Sequence, residues 1–574
     1  MYEIQGISGI WKAKVLENNL FGKKRLLFKF SKISDQFIID KVSIEDISLE
    51  AQYSQTSENE VDLEIHSDVQ RCRFKGKLEI GDTFYLNGFW YQYGYVINQG
   101  YVSRLNLELH PNTPSEMQYV SDHFRLLPEE QTFFFKFSTN GKKDTYNVEI
   151  RNFDRNLSVF IPYHQMKVIS DHEFILHDDH TQVHARMKIV ANQSVIELNL
   201  PIFGNDFLLQ LTKLDENELT YFYARLSDNY DFTHPQVDTD VFGVTNPEEV
   251  LADTQPIQNL IQKIAIEDIP NIQALLLLQH ENIIIEEYFY GFNANMVHDT
   301  RSLSKSFAST LIGIMIDQHY IEDLNQPILD FNSDFTDKTL LNWDDRKKEI
   351  TLKHLMTMSS GLAMNDFDED SPGHEDKMYE QDVELNWYKY VLDLPMKYDP
   401  GTTSRYGTGG VNLLGSAIED ATQRTIEELV DEYLFGPLGI QNYYLNLSPK
   451  DDVYLGGGWH LRPRDLAKIG VMMNNDGKWQ EKRILSSGWI RKALTVHTQI
   501  DGQDYCLNWW HFTISYNDKK YDVYHASGNG GQYLMLIPEL QLTLVIMASN
   551  YMQFGIWSNY KNFMEDYILP SILG

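Results

Sequence analysis

Thr300-Arg301-Ser302-Leu303-Ser304-Lys305-Ser306-Phe307 is the stretch from which the rest of the chain is best read. It opens an apolar-periodic segment, and the spacing predicts a helix from Ser302 to about Ile316. A serine at a helix start and a lysine three positions on share one face, with Cβ atoms about 5 to 6 Å apart, so ammonium and hydroxyl can meet. The helix amino end adds positive potential where an alkoxide would develop. A neighbouring positive charge biases a lysine towards the neutral form that a general base requires. A serine in this place also serves simply as a helix cap, so the pair gains catalytic meaning only from what surrounds it.

Working outward, Gln273 to Leu278 and Ile283 to Tyr290 read as a hairpin around His280-Glu281-Asn282. Helical segments dominate from Ser302 to about residue 500. Strands return at Tyr505 to Ile514, Lys520 to His525, Gln532 to Ile537 and Leu542 to Ala548. Strands from both ends with helices between them predict an α+β domain over 251–574, one antiparallel sheet carrying a helical lobe. Before it the texture differs. Short runs with period-two alternation include Val61 to Ile65, Arg71 to Leu78, Thr83 to Trp90 and Leu105 to Leu109. A second series follows at Thr132 to Phe137, Tyr146 to Ile150, Leu157 to Ile161, Glu173 to His177, Val183 to Ile189, Val195 to Leu200 and Phe207 to Leu211. Two tandem all-β modules, barrels or sandwiches, are expected at 1–115 and 116–230, with a polar linker at 231–250 containing Pro235 and Pro247.

The bulk properties restrict function. A chain of 574 residues, 42% hydrophobic and 13% aromatic, describes a folded multidomain protein. Its net charge of −33 argues against nucleic acid as a partner. The first thirty residues lack a basic head followed by an apolar stretch, and no run is apolar enough to span a bilayer, so cytoplasm is the expected location. Only Cys72 and Cys506 are present, far apart, and a pair of thiols in half-buried strands is expected rather than a disulfide framework.

Two further segments carry chemistry. Pro400-Gly401-Thr402-Thr403-Ser404-Arg405-Tyr406-Gly407-Thr408-Gly409-Gly410 suits a tight loop presenting Tyr406 at a cleft, where it could shuttle a proton between Ser302, Lys305 and a leaving group. His525-Ala526-Ser527-Gly528-Asn529-Gly530-Gly531-Gln532 leads into the strand Tyr533 to Ile537, and its glycines let a substrate approach the strand backbone. Together with Ser302 to Lys305, and in this order, these segments resemble the class C β-lactamase-like, penicillin-recognising serine hydrolases, a family that includes esterases, D-aminopeptidases and nylon-oligomer hydrolases. The signposts Leu352-Lys353-His354-Leu355-Met356-Thr357-Met358-Ser359-Ser360-Gly361-Leu362 and Gly456-Gly457-Gly458-Trp459-His460-Leu461-Arg462-Pro463-Arg464-Asp465-Leu466-Ala467 are similar to the same family.

The resemblance implies acyl transfer: Ser302 attacks a carbonyl, an acyl-enzyme forms, and water releases it, without a cofactor or metal. Lys305 and Tyr406 would exchange protons with Ser302 as a coupled pair, either being the resting base. The backbone N–H groups of Ser302 and Asn529 would form the oxyanion hole. Thr408, Ser527, Gly528 and Gly530 match the family's substrate-contacting segments. Two departures matter. Tyr406-Gly407-Thr408 replaces Tyr-x-Asn, removing an amide that would hold an acylamido group. Ala526-Ser527-Gly528 replaces Lys-Thr-Gly, removing a cation for a substrate carboxylate, a contact of roughly 1.5 to 3 kcal/mol. His525 would point to the other face of its strand. The expected substrate is a small ester, amide or short peptide. A β-lactamase or D-Ala-D-Ala peptidase is one alternative, and a non-catalytic binding protein on the same scaffold is another.

Three features keep open readings. The acidic, turn-rich run Met364 to Asp376 either lines the cleft or is a solvated loop. Asn508-Trp509-Trp510 either walls the acyl pocket or packs the core. His172, His177, His180 and His184 cluster without a regular ligand pattern, so no metal site is expected. The oligomeric state and the natural substrate do not follow from the sequence.

Overall fold

The computed structural model describes residues 242–574 apart from 382, 552, 554 and 556–559, together with residue 235 and, before it, residues 9–15, 22–33, 36–44, 47–57, 59–68, 71–81, 83–93, 100–113, 118–121, 124–126, 131–139, 145–152, 165–170, 173–177, 185–190, 195–199 and 208–225. In the amino-terminal part, alternation sorts side chains as expected. Along Glu60–Ser67, Val61, Leu63 and Ile65 are buried while Asp62 is exposed, and along Cys72–Glu79 the buried residues are Cys72, Phe74 and Leu78. These strands belong to a nine-stranded antiparallel sheet running from Leu26–Ile33 through Gly100–Thr113. Gln118–Ser121 pairs with both of those strands and so closes the sheet on itself. A second sheet is a closed barrel of Gly9–Val15, Gln131–Thr139, Thr145–Arg151, Gln165–Val168, Glu173–His177, Ala185–Val190, Val195–Asn199 and Leu208–Lys213. Each ring is filled by its own apolar side chains. The expected strand Leu157 to Ile161 lies outside the described residues.

Strand pairing crosses the expected divisions of the chain. Gly9–Val15, from the first module, pairs with Gln131–Thr139 and Leu208–Lys213 of the second barrel. Gln118–Ser121, from the second module, completes the first. Leu445–Leu447, deep in the carboxy-terminal half, adds a ninth strand to the first sheet. The physical reason is the demand of unpaired backbone groups at sheet edges, which are met by whichever segment lies nearest in space.

The carboxy-terminal half is built on a second nine-stranded sheet, with spatial order Gly243–Val244, Asn282–Tyr288, Ile272–Gln279, Leu542–Ala548, Gln532–Ile537, Lys519–Gly528, Trp510–Tyr516, Gln503–Tyr505 and Thr498–Ile500. All these pairs are antiparallel except the first. The central strands read as unbroken apolar runs because both faces are covered. Ala274, Leu276 and Leu278 pack with the helical lobe, whereas Leu275 and Leu277 pack with the helix Gln255–Ala265 and the carboxy-terminal helical segments. The lobe contributes Lys305–Asp317, Thr408–Thr422 and Pro463–Asn474. The helix expected from Ser302 begins later: Arg301–Ser304 is a 3₁₀ turn and the α-helix starts at Lys305.

Both β modules dock on this half. Phe89, Tyr91 and Val102 of the first sheet belong to the core of the helical lobe. Tyr91 Oη donates to Glu427 at 2.5 Å and Tyr93 Oη to Asp451 at 2.5 Å. On the opposite face, Ile10, Phe134 and Leu214 join the second core, and Arg151 pairs with Glu267 at 2.8 Å. Within the half, Arg464 makes a buried bidentate bond to Glu286 at 2.7 and 2.6 Å. Cys72 and Cys506 are free and buried, Cys72 in the half-buried strand Cys72–Glu79 as expected and Cys506 just beyond Gln503–Tyr505 rather than in a strand, and burial pushes each thiol up to about 12. No helix among the described residues is long and apolar enough to cross a membrane.

Candidate active site

A chain of backbone pairings leads from the first β sheet to Ser302. Gly100, Tyr101 and Val102 pair with Leu447, Asn446 and Leu445. Tyr444 and His460 exchange N–H···O bonds of 3.1 and 2.8 Å. His460–Leu461 pairs in turn with His298–Asp299. Thr300 then donates to Trp459 O from its N–H at 2.8 Å and from its hydroxyl at 2.7 Å. Arg301 follows with φ of +51°, the left-handed region that a non-glycine residue occupies at a cost of about 1 to 3 kcal/mol. Asp299 holds it there, accepting its N–H at 2.9 Å and pairing with its guanidinium at 3.0 Å. The strained residue thus directly precedes the serine.

Lys305 is 2% exposed, and its Nζ donates to Ser302 Oγ at 2.8 Å and to Gly456 O at 2.5 Å. Lys305 Nζ stands 5.2 Å from the centre of the Tyr406 ring. Burial pushes the Tyr406 phenol above its ordinary range, with the Lys305 charge and the nearby Ser302 hydroxyl partly offsetting it. Each signpost of the sequence has a place here. Gly401 N–H bonds to Ser359 O and Arg405 N–H to Met358 O, both at 2.8 Å, so the Leu352 to Leu362 segment holds the Tyr406 loop. Gly456 supplies the carbonyl for Lys305, and a Cβ there would lie 2.4 Å from Thr408 Cγ2, so only glycine brings that carbonyl so close. The Tyr406 ring is stacked between Phe367 at 5.4 Å and Trp510 at 5.8 Å. Trp509 is core, whereas Trp510 is half-buried with its ring against Tyr406.

The remaining expected positions divide. Lys519–Gly528 ends against the turn that bears Ser302: a Cβ on Gly528 would sit 2.2 Å from Thr300 O and 3.0 Å from Arg301 Cβ. Asn529 follows immediately. Half-buried Ser527 pairs with Tyr533 in the ladder. Gly530, with φ of +90°, bridges to Asn550 and lies under Tyr551. Thr408 requires a correction. It is fully buried, and its hydroxyl and N–H both donate to Asp366 Oδ2, at 2.5 and 2.7 Å, so its side chain offers no exposed atom for contact. His525 contacts Trp510, Phe512 and Tyr533, and burial lowers its imidazole to about 3, leaving it neutral.

Asp366 and Glu375, from the acidic run after the Ser-Gly-Leu signpost, are the site residues the sequence did not single out. Both are within electrostatic reach of Lys305, and burial raises both carboxyls while the Lys305 charge opposes the rise. Their run is therefore partly a wall of the site: Phe367 stands at the surface, 57% exposed, on the same turn. Among the described residues no group of three or more His, Cys, Asp or Glu is arranged to hold a metal ion. His177 ends a barrel strand, and His172, His180 and His184 lie outside the described residues.

The Beta-lactamase family model matches residues 264–552. A 6-aminohexanoate-dimer hydrolase of Paenarthrobacter ureafaciens is 23% identical over 302 residues, 48% of this chain and 72% of that protein. Among solved structures, a Bacillus anthracis protein provisionally assigned as a 6-aminohexanoate-dimer hydrolase is 19% identical, covering 61% of this chain and 94% of its own with a TM-score of 0.46. A family VIII carboxylesterase is 16% identical, covering 52% and 91% with a TM-score of 0.42. The matched region takes in the turn that bears Ser302, the Tyr406 loop and the strand ending at Gly528, and the chain belongs to the β-lactamase family of hydrolases.

Proposed function

We propose that this protein is a serine hydrolase that cleaves an ester or amide through an acyl-enzyme on Ser302. The observation that carries the reading is the 2.8 Å bond from Lys305 Nζ to Ser302 Oγ, made by a buried lysine whose other partner is the Gly456 carbonyl. Ser302 Oγ attacks the carbonyl carbon as its proton passes to the Lys305–Tyr406 couple. The N–H groups of Ser302 and Asn529 receive the oxyanion, where one such donor is worth about 10²- to 10³-fold in rate. Collapse expels the alcohol or amine, which takes the proton back from the couple. Water then attacks the acyl-enzyme by the same exchange in reverse. Burial raises the Tyr406 phenol while the Lys305 charge opposes the rise, and the couple enters the reaction with one of its two members deprotonated to take the Ser302 proton.

The ring stack of Phe367, Tyr406 and Trp510 favours neutral, partly apolar acyl or leaving groups. With Ala526-Ser527-Gly528 in the third segment and Thr408 committed to Asp366, β-lactams and D-Ala-D-Ala peptides are disfavoured relative to simple esters and amides. The test is intact-protein mass after incubation with a fluorophosphonate, with peptide mapping and a Ser302→Ala control. One adduct on Ser302, absent from the control, together with turnover of p-nitrophenyl esters, is expected. Folded protein that takes no adduct would return the chain to the non-catalytic binding reading. Preferential hydrolysis of a chromogenic cephalosporin would instead favour the β-lactamase reading.

A further inference from the structure

A nucleophile, a proton-transfer couple and an oxyanion hole do not by themselves require the acidic pair that lies beside Lys305. Asp366 Oδ2 accepts from Thr408 N–H at 2.7 Å and from Thr408 Oγ1 at 2.5 Å, and its Oδ1 accepts from Glu375 N–H at 3.0 Å. Glu375 Oε1 accepts from Tyr454 Oη at 2.8 Å, and its Oε2 lies 3.4 Å from Thr408 Oγ1. Thr408 has one hydroxyl proton, and the shorter contact assigns it to Asp366. The contact between Thr408 Oγ1 and Glu375 Oε2 then joins two acceptors unless Glu375 itself carries a proton. Asp366 and Glu375 are each half-buried, and two carboxylates this close resist ionising together.

The charged and titratable groups facing the pair are few. Lys305 lies within electrostatic reach of both carboxyls, its partner Gly456 packing against Thr408, and Asp366 N–H donates to Tyr406 O at 2.8 Å. Tyr454 and Tyr379 face Glu375, and burial raises both phenols well above their ordinary range, so they are neutral. Asp376 adds a further negative charge near Glu375. Among the described residues the cation that acts on both carboxyls is Lys305.

We propose that Asp366 and Glu375 share a single proton through Thr408 Oγ1, and that the one negative charge left on the pair holds the proton on the Lys305–Tyr406 couple. Both carboxyls are positioning residues acting through that couple, and the inference rests on the acyl-enzyme reading above. Over one turnover the pair neither gains nor loses a proton: the Ser302 proton goes to the couple and on to the leaving group. The sign of the effect does not depend on which member of the couple is the base. A negative charge favours the protonated form of either, so removing it lets the couple release its proton at lower pH.

The experiment is kcat/KM for a p-nitrophenyl ester against pH, on the full chain, in wild type, Asp366→Asn, Glu375→Gln and the double variant. In each single variant the surviving carboxyl loses its like-charged neighbour and takes up the charge, so the acid limb moves by less than about half a pH unit. In the double variant no charge remains, and the acid limb falls by about one unit or more. A protonated-carboxyl stretch in the infrared difference between wild type and double variant at neutral pH is also expected. An acid limb that stays put in the folded double variant, or that moves as far in either single, overturns the inference. If the double variant does not fold, Thr408→Val decides. It keeps both carboxyls and the backbone bond but removes the hydroxyl that accepts the Glu375 proton, and an unshifted infrared band there also overturns it. Fluorophosphonate labelling of the same preparations separates the two levels: labelled Ser302 with an unmoved limb defeats only this inference, whereas unlabelled Ser302 defeats the reading beneath it.

Discussion

Gly528→Ala should disable the site while leaving the protein folded. The added methyl would lie 2.2 Å from the Thr300 carbonyl oxygen, 1.2 Å inside the 3.4 Å at which ordinary contact begins. Neither side can yield cheaply. Gly528 is held in register opposite Gln532, and Thr300 is tied to Trp459 by two hydrogen bonds of 2.8 and 2.7 Å. The strand end and the turn that bears Ser302 must separate by about 1 Å, and a displacement of that size in a reacting constellation costs about 10²-fold. The overpacking itself costs about 1 to 3 kcal/mol of stability. The assay is steady-state hydrolysis of a p-nitrophenyl ester beside thermal unfolding. The expected result is a fall of about 100-fold in kcat/KM, carried mainly by kcat. Gly488→Ala is the control, because the nearest atom to its new methyl is Ser486 Oγ at 3.9 Å, and it should change neither quantity much. A folded Gly528→Ala variant within a factor of about three of wild type would refute the placement of this strand end in the catalytic geometry.

Three other outcomes follow from the packing. Arg464→Met leaves Glu286 buried without its bidentate partner and should cost about 3 to 5 kcal/mol in denaturant unfolding, whereas replacing both residues with apolar ones should recover most of the loss. Tyr91→Phe removes the hydroxyl donated to buried Glu427 and should cost about 1 to 3 kcal/mol in the same measurement, with little change in KM. Burial raises the Glu419 carboxyl to about 8 and the Asp452 carboxyl to about 6. A carboxyl raised in the folded state holds its proton after the unfolded chain has released it, so stability is greatest below the unfolded value near 4.5 and declines as pH rises towards about 8. Thermal unfolding across that window should show the decline, and Glu419→Gln should flatten it.

Ser302 and Lys305 were legible because their meeting depends only on local helical spacing, which survives the shift from an α-helical start to a 3₁₀ turn. The central sheet was legible for a related reason: its strands are continuous apolar runs bounded by turns, and their ends fell within a few residues of those observed. What escaped was non-local. Asp366 and Glu375 share one acidic run but meet Thr408 and Tyr454 from two other segments, and nothing in the composition of that run says which of its carboxylates will make those contacts. The direction of the Thr408 hydroxyl was hidden for the same reason, since residue type gives its hydrogen-bonding capacity and not its partner. The β modules show this limit most clearly. Alternation identified many of their strands, but the pairing of Gly9–Val15 with Leu208–Lys213 depends on which edges meet after the rings have formed.

The pairing of Gly100–Thr113 with Leu445–Leu447 has a consequence for how this protein can be divided or recombined. Cutting the chain just before residue 242 would free a row of backbone donors and acceptors on Leu445–Leu447, a template for a second copy of the fragment to dock on. Exchanging the first β module for a relative's would also need one register to be kept. Slipping by one residue would turn Tyr101 off the His460 ring, 5.2 Å away, and carry the error towards the turn that bears Ser302. In genetic terms the module and the hydrolase half form a single unit of exchange: crossovers between them should be poorly tolerated, while length changes in the module's far loops should pass freely.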